Sequence, residues 1–118
     1  MTTNVELTGQ FRIDGLTPAN TNEATMFTAA NERPTIVEFW VANLTAAPAN
    51  ATIKWSDGSN DYSIIDTFCV PARGYLVERE VMLPLRSGYL IKVTSGTASA
   101  LTFTLISVAA ANVGRPPA

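Results

Sequence analysis

The sequence contains no histidine and a single cysteine, Cys69. Without histidine there is no Ser-His or Cys-His nucleophile pair, and the commonest general base and metal ligand is missing. A zinc site built from Cys and His cannot be assembled from one thiol, and no disulfide can form within the chain. Charge is scarce as well: 15% of residues are Asp, Glu, Lys or Arg, against roughly 25% in an average globular domain. The only two lysines, Lys54 and Lys92, are expected to lie far apart, and the formal net charge is −2. A nucleic-acid partner would require clustered Lys and Arg, so none is expected. No apolar run approaches the roughly 20 residues that a helix needs to cross a bilayer, so no membrane partner is expected. The opening Met1-Thr2-Thr3-Asn4-Val5-Glu6 lacks the basic and apolar regions of a secretion signal, which implies synthesis in a cytoplasm. These absences predict a protein that is not an enzyme and holds no metal or cofactor.

What is present reads as strands. The 118 residues are 47% hydrophobic, enough for one domain with a core of its own. Thr35 to Asn43 is rich in β-branched and aromatic residues, with Pro34 at the position where a strand needs no donor. Strict alternation places Val37, Phe39 and Val41 on one face and Glu38 and Trp40 on the other. Ala51, Ile53 and Trp55 alternate with Thr52, Lys54 and Ser56, the pattern of a half-buried antiparallel strand. Asp57-Gly58-Ser59-Asn60-Asp61 is a turn. Further strands are expected at Tyr62–Val70, Tyr75–Leu83, Tyr89–Thr94 and Ala100–Val108, parted by Pro- and Gly-containing turns. Five or six strands at this spacing, with no capped amphipathic helix, predict a single antiparallel β-sandwich, jelly-roll-like or Ig-like. Residues 1–22 are expected to form an irregular N-terminal arm, 23–109 the sandwich, and 110–118 a tail in which Pro116 and Pro117 cannot join a ladder. The tail reads either as a frayed end or as an arm that orders on a neighbouring subunit.

Candidate sites are few. Glu78 and Glu80 share a face at period two, which is more simply a solvated face than the acid pair of a glycosidase. Asp57, Asn60 and Asp61 offer oxygen ligands, but lack the spacing and closing Glu of a dedicated calcium loop. Asn43-Leu44-Thr45 and Asn50-Ala51-Thr52 match the glycosylation sequon and are chance matches in a chain without a secretion signal. Cys69, between Phe68 and Val70, is expected to be a small buried hydrophobe, and Trp55 to belong to the core. Trp40 fits either a second buried face or a subunit interface, where large aromatics are enriched. Phe11, Ile13 and Leu16 in the N-terminal arm, Trp40, and Val113 and Arg115 in the tail are the candidate interface residues.

One resemblance adds to this reading. The order Met26-Phe27-Thr28-Ala29-Ala30, Ile36 to Thr45, Ala51-Thr52-Ile53-Lys54-Trp55, Val70-Pro71-Ala72, Val81-Met82-Leu83-Pro84-Leu85, Gly88 to Val93 and Leu101-Thr102-Phe103-Thr104 resembles small virion proteins of tailed bacteriophages. It spans roughly three-quarters of the chain through short segments. Where that group often has an acid after the glycine of the turn before the penultimate strand, this chain has Tyr89. The resemblance implies a β-sandwich without catalytic residues that forms a homo-oligomer, often a trimer. It further implies a capsid decoration (cement) protein, or a neck or tail accessory protein, located in the virion, with capsid or neck and tail proteins as partners. A carbohydrate- or receptor-binding module, using Trp40, Tyr62 and the Asp57–Asp61 turn, is the alternative.

Overall fold

The computed structural model describes residues 11–30 and 34–109. They form eight strands: β1 (Phe11–Leu16), β2 (Ala24–Thr28), β3 (Pro34–Asn43), β4 (Ala49–Ser56), β5 (Asp61–Val70), β6 (Tyr75–Pro84), β7 (Leu90–Ser95) and β8 (Leu101–Ala109). All pairings are antiparallel, in two four-stranded sheets. The first, sheet A, runs β1-β8-β3-β6; the second, sheet B, runs β2-β7-β4-β5. The outer pairs β1 with β8, β2 with β7, β3 with β6 and β4 with β5 are those of one long ribbon folded over on itself. That is the jelly roll, two Greek keys in eight strands. In an Ig sandwich the first two strands pair within one sheet; here β1 and β2 lie in different sheets, which decides between the two sandwiches the sequence allows.

The core fills the space between the sheets. Phe39 and Val41 of β3 and Leu101, Phe103 and Leu105 of β8 point inward from sheet A. Phe27, Ala51, Ile53, Ile91 and Val93 meet them from sheet B. All are at most 2% exposed, and each of the larger side chains stabilises the fold by about 1.5–3 kcal/mol through burial. Asn43 is a fully engaged polar group in this layer. Its amide nitrogen donates to the carbonyls of Ala47 and Val70, and its oxygen accepts from the backbone N–H and hydroxyl of Thr45. This ties the loop after β3 to the end of β5. It also leaves no free amide for a glycan at that sequon.

Four expectations are corrected. Residues 11–16, expected within an irregular arm, are an edge strand in full register with β8, from Phe11 opposite Val108 to Leu16 opposite Phe103. The inward positions of β1 are Arg12, Asp14 and Leu16, and Arg12 Nε lies 3.0 Å from Asp14 Oδ2. A strand whose inner face holds an ion pair shows no apolar alternation. Val37 does not share the face of Phe39 and Val41, because the register slips between Ile36 and Glu38. The bulge puts Ile36 in the core and Val37 out of line. Cys69 is exposed: it lies opposite Asn50 on an edge strand, at a position facing away from the core. Lys54 and Lys92, remote in sequence, are cross-strand partners.

Candidate interaction face

Alternation in sheet A turns one set of side chains into the core and leaves the other on an outer face. On the central strand β3 the outward positions after the bulge are Glu38, Trp40 and Ala42. Register with β6 sets Arg79, Val77 and Tyr75 beside them, in that order. On the other side β8 contributes Ile106, Thr104 and Thr102, and the edge strand β1 adds Ile13 beside Ile106 and Gly15 beside Thr104.

Trp40 is fixed from three directions. Its indole N–H donates to the carboxylate of Glu38. The Tyr75 ring stacks on it at 6.2 Å, with 21° between the planes. The Arg79 guanidinium lies 6.0 Å from the indole ring, within cation–π range. Trp, Tyr and Arg are the residues that dominate binding energy at protein interfaces, and a side chain already held in one rotamer loses less entropy on contact. Two outlying members of the face are open to solvent, Ile13 at 71% and Tyr75 at 68% exposure. Met82, also exposed, extends β6 on the same side.

The candidate interface residues fall differently. Trp40 and Ile13 belong to this face. Leu16 points inward and packs against the core, so it offers nothing to a partner. The backbone of Phe11 opens β1 but its side chain, like Val113 and Arg115, lies outside the described residues. Tyr75 and Arg79 escaped the sequence reading. Their signal is there, in Tyr75-Val77-Arg79 at period two, but alternation alone cannot tell which face of a strand will be organised around a neighbour's tryptophan.

The other candidates are accounted for by local structure. Asp57 Oδ1 accepts the backbone N–H groups of Ser59 and Asn60 at 2.8 and 2.7 Å, and these bonds hold its carboxyl below the ordinary 3.8. Gly58 supplies the left-handed backbone of this turn (φ 98°). The Asp61 carboxyl is likewise held below 3.8, first by the Ser56 hydroxyl and then by Lys92. No group of three or more metal-ligating side chains occurs among the described residues. Glu78, opposite Phe39, faces the inner side of the edge strand β6; the side chain of Glu80 lies outside the described residues. Trp55 is half-buried against the core and flanked by Tyr62 from β5 at 4.5 Å and Tyr89 from the β7 side at 5.7 Å. Both faces of its ring are therefore occupied.

No protein-family model matches the sequence, and no curated protein does. Among solved structures, the fold is similar to a chain of the Bacillus endospore appendages that form disulfide-linked pili. The TM-score is 0.50 at 10% identity, over 92% of this chain and 96% of that one. PirA (TM-score 0.46, 8% identity, 92% and 96% covered) and a chain of the infectious bursal disease virus Gx strain (0.44, 12%, 92% and 33%) are more distant likenesses. At such identities what the chain shares with the appendage protein is its fold.

Proposed function

We propose that this chain is a structural component of a virion, a capsid decoration (cement) protein that attaches to an assembled shell through protein–protein contacts. Neck or tail attachment is the same reading at another place on the particle. It assigns the chain no catalytic role, no cofactor and a tendency to self-associate. The observation that carries it is the outer face of sheet A, where neutral side chains surround Trp40, itself fixed between Glu38, Tyr75 and Arg79. The resemblance to tailed-phage virion proteins supports the choice of virion. The appendage chain that shares the fold is described as forming pili, which supports an assembly role for such a sandwich more broadly. Residues 1–10 and 110–118 serve in this reading as arms that add contact area.

The carbohydrate alternative has a specific obstacle. Its best aromatic platform, Tyr62–Trp55–Tyr89, has spent both faces of the indole on its own tyrosines. Co-sedimentation of the purified chain with particles of the virus that encodes it tests the proposal. Binding that is lost when Ile13 and Tyr75 are both changed to Arg supports it. Glycan-array binding with quenched tryptophan emission, and no binding to particles, replaces it with the carbohydrate reading.

A further inference from the structure

The four sheet edges and the two sheet faces are not equally available to a partner. Edge strands recruit other strands unless something blunts them, and each edge here is blunted. β1 turns the Arg12–Asp14 pair inward, and β6 turns Glu78 inward opposite Phe39. β2 is only five residues long and its register slips at Met26. β5 slips twice between its pairings to Ala51 and Lys54, and Thr67 adopts a left-handed backbone (φ 53°), rare for a β-branched residue. The outer face of sheet B carries Lys54, Lys92, Glu23 and Asp61, whose charges are already satisfied among themselves. The outer face of sheet A is what remains.

That face also has a relief. Its β3–β6 half is raised by Trp40, Val77, Arg79 and Tyr75. Its β8–β1 half is low at Thr102, Thr104 and Gly15, where an added Cβ would meet nothing closer than the Phe103 carbonyl at 3.9 Å. It rises only at its Ile13–Ile106 end, the row that lies opposite Glu38 and Arg79 of the second copy. A two-fold axis along the strands, between β8 and β3, lays the raised half of one copy on the low half of the other. Trp40 then covers the partner copy's threonine row, and Val77 fills the space over its glycine. Symmetric self-complementarity of this kind is the commonest route to a closed oligomer. Four strands at about 4.8 Å spacing and roughly 25 Å of strand give a footprint of about 480 Å² per copy. Both copies together bury about 1,000 Å², the lower bound for a specific interface. A net charge of −2 per copy opposes such pairing only weakly.

We infer that the outer face of sheet A packs against the same face of a second copy, giving a weak two-fold dimer in place of the trimer that the virion resemblance implies. The inference rests on reading this face as the contact surface. In the dimer this face is taken by the second copy, so attachment to the shell passes to the remaining surfaces and the arms, presented in duplicate, and two weak attachments act together as one strong one.

Sedimentation of the full chain over a concentration series, to about 500 µM, is the test. The wild type is expected to pass from monomer to dimer and no further. Ile13→Arg with Tyr75→Arg, both at exposed positions outside the core, is expected to raise the dissociation constant at least tenfold, a change of about 1.4 kcal/mol. Thr52→Arg, on the outer face of sheet B, should leave it unchanged; unaltered thermal midpoints establish that the variants fold. A wild type that stays monomeric throughout overturns the inference. So does a dimer that ignores the paired Ile13→Arg and Tyr75→Arg changes, and so does a trimer. A monomer that still binds particles through the face refutes the second copy and leaves the virion reading standing; a dimer that binds no particle does the reverse.

Discussion

The two outer faces of this sandwich are built from the same strand geometry and end in opposite surfaces. On sheet B, the outward row of β4 and β7 places Lys54 directly opposite Lys92, a pairing that repels. Glu23 reaches both ammonium groups, at 3.5 and 3.8 Å, and Asp61 lies 3.3 Å from Lys92. Threonines, Ser63, Asn50, Cys69 and Leu90 complete the face, and none of the large hydrophobic side chains exposed among the described residues lies on it. Sheet A carries Ile13, Tyr75 and Met82, exposed on its outer side, around a tryptophan held in place. A charged lattice that answers its own charges is a surface made to stay in water. A fixed aromatic cluster is, in the proposed reading, the surface that leaves it.

The tryptophans sharpen the contrast, because each sheet has one and they do different work. Trp55→Ala is expected to cost about 2–3 kcal/mol of stability, somewhat under the figure for a fully buried aromatic, since Trp55 is half-buried against the core and stacked on two tyrosines. Chemical denaturation measures this, and association per mole of folded protein should hold. Trp40→Ala is expected to do the opposite: about 2 kcal/mol lost from association, the scale of an interface hot spot, with under about 1 kcal/mol lost from the fold. If the two variants lose stability and binding in equal proportion, the division of labour between the sheets is wrong.

Most of the fold can be read from the chain because most strands advertise a buried face. β4, β7 and β8 alternate cleanly and β3 and β6 are rich in β-branched, aromatic and aliphatic residues, and the bounds of all five fall within a residue or two of expectation. What stays hidden has a common cause, which is that the decisive partner sits on another strand. β1 reads as a loop because its inward positions hold Arg12 and Asp14, which satisfy each other. Cys69 reads as buried because its neighbours are apolar, yet it sits on the outward row opposite Asn50, and on this edge strand even Phe68 is 45% exposed. The lysines look scattered until antiparallel register brings β4 and β7 together. For the face of sheet A, Trp40 is visible as an oddity on its strand. Tyr75 and Arg79 become meaningful only once β6 is known to lie beside β3.

The smaller predictions probe the lattice of sheet B. Glu23→Gln removes the one carboxylate shared by Lys54 and Lys92. Exposed pairs contribute little, so a loss of about 0.5 kcal/mol is expected, larger at low salt than at high. A loss that does not depend on salt would mean that the glutamate acts by packing and not by charge.

Acid should act on the same sheet. The carboxyls of Asp57 and Asp61 are both held below 3.8 in the folded chain, by the Ser59 and Asn60 amides and by Ser56 and Lys92 respectively. A group whose folded value is depressed contributes stability that is fully present above its unfolded value and is lost as pH falls through the folded one. Below about pH 3.8, then, the turn joining β4 to β5 loses its acceptor and Lys92 loses a counter-charge. The Lys54–Lys92 repulsion is left less opposed. Thermal midpoints measured from about pH 7 to about pH 2 should decline along this limb, and Asp57→Asn with Asp61→Asn should flatten it while lowering the midpoint at neutral pH. Amide exchange at about pH 3 should loosen β4 and β5 before β3 and β8, whose ladder has no acid in its outward row other than Glu38. Equal loosening of both sheets would show that the outer-face charges do not govern how this sandwich comes apart.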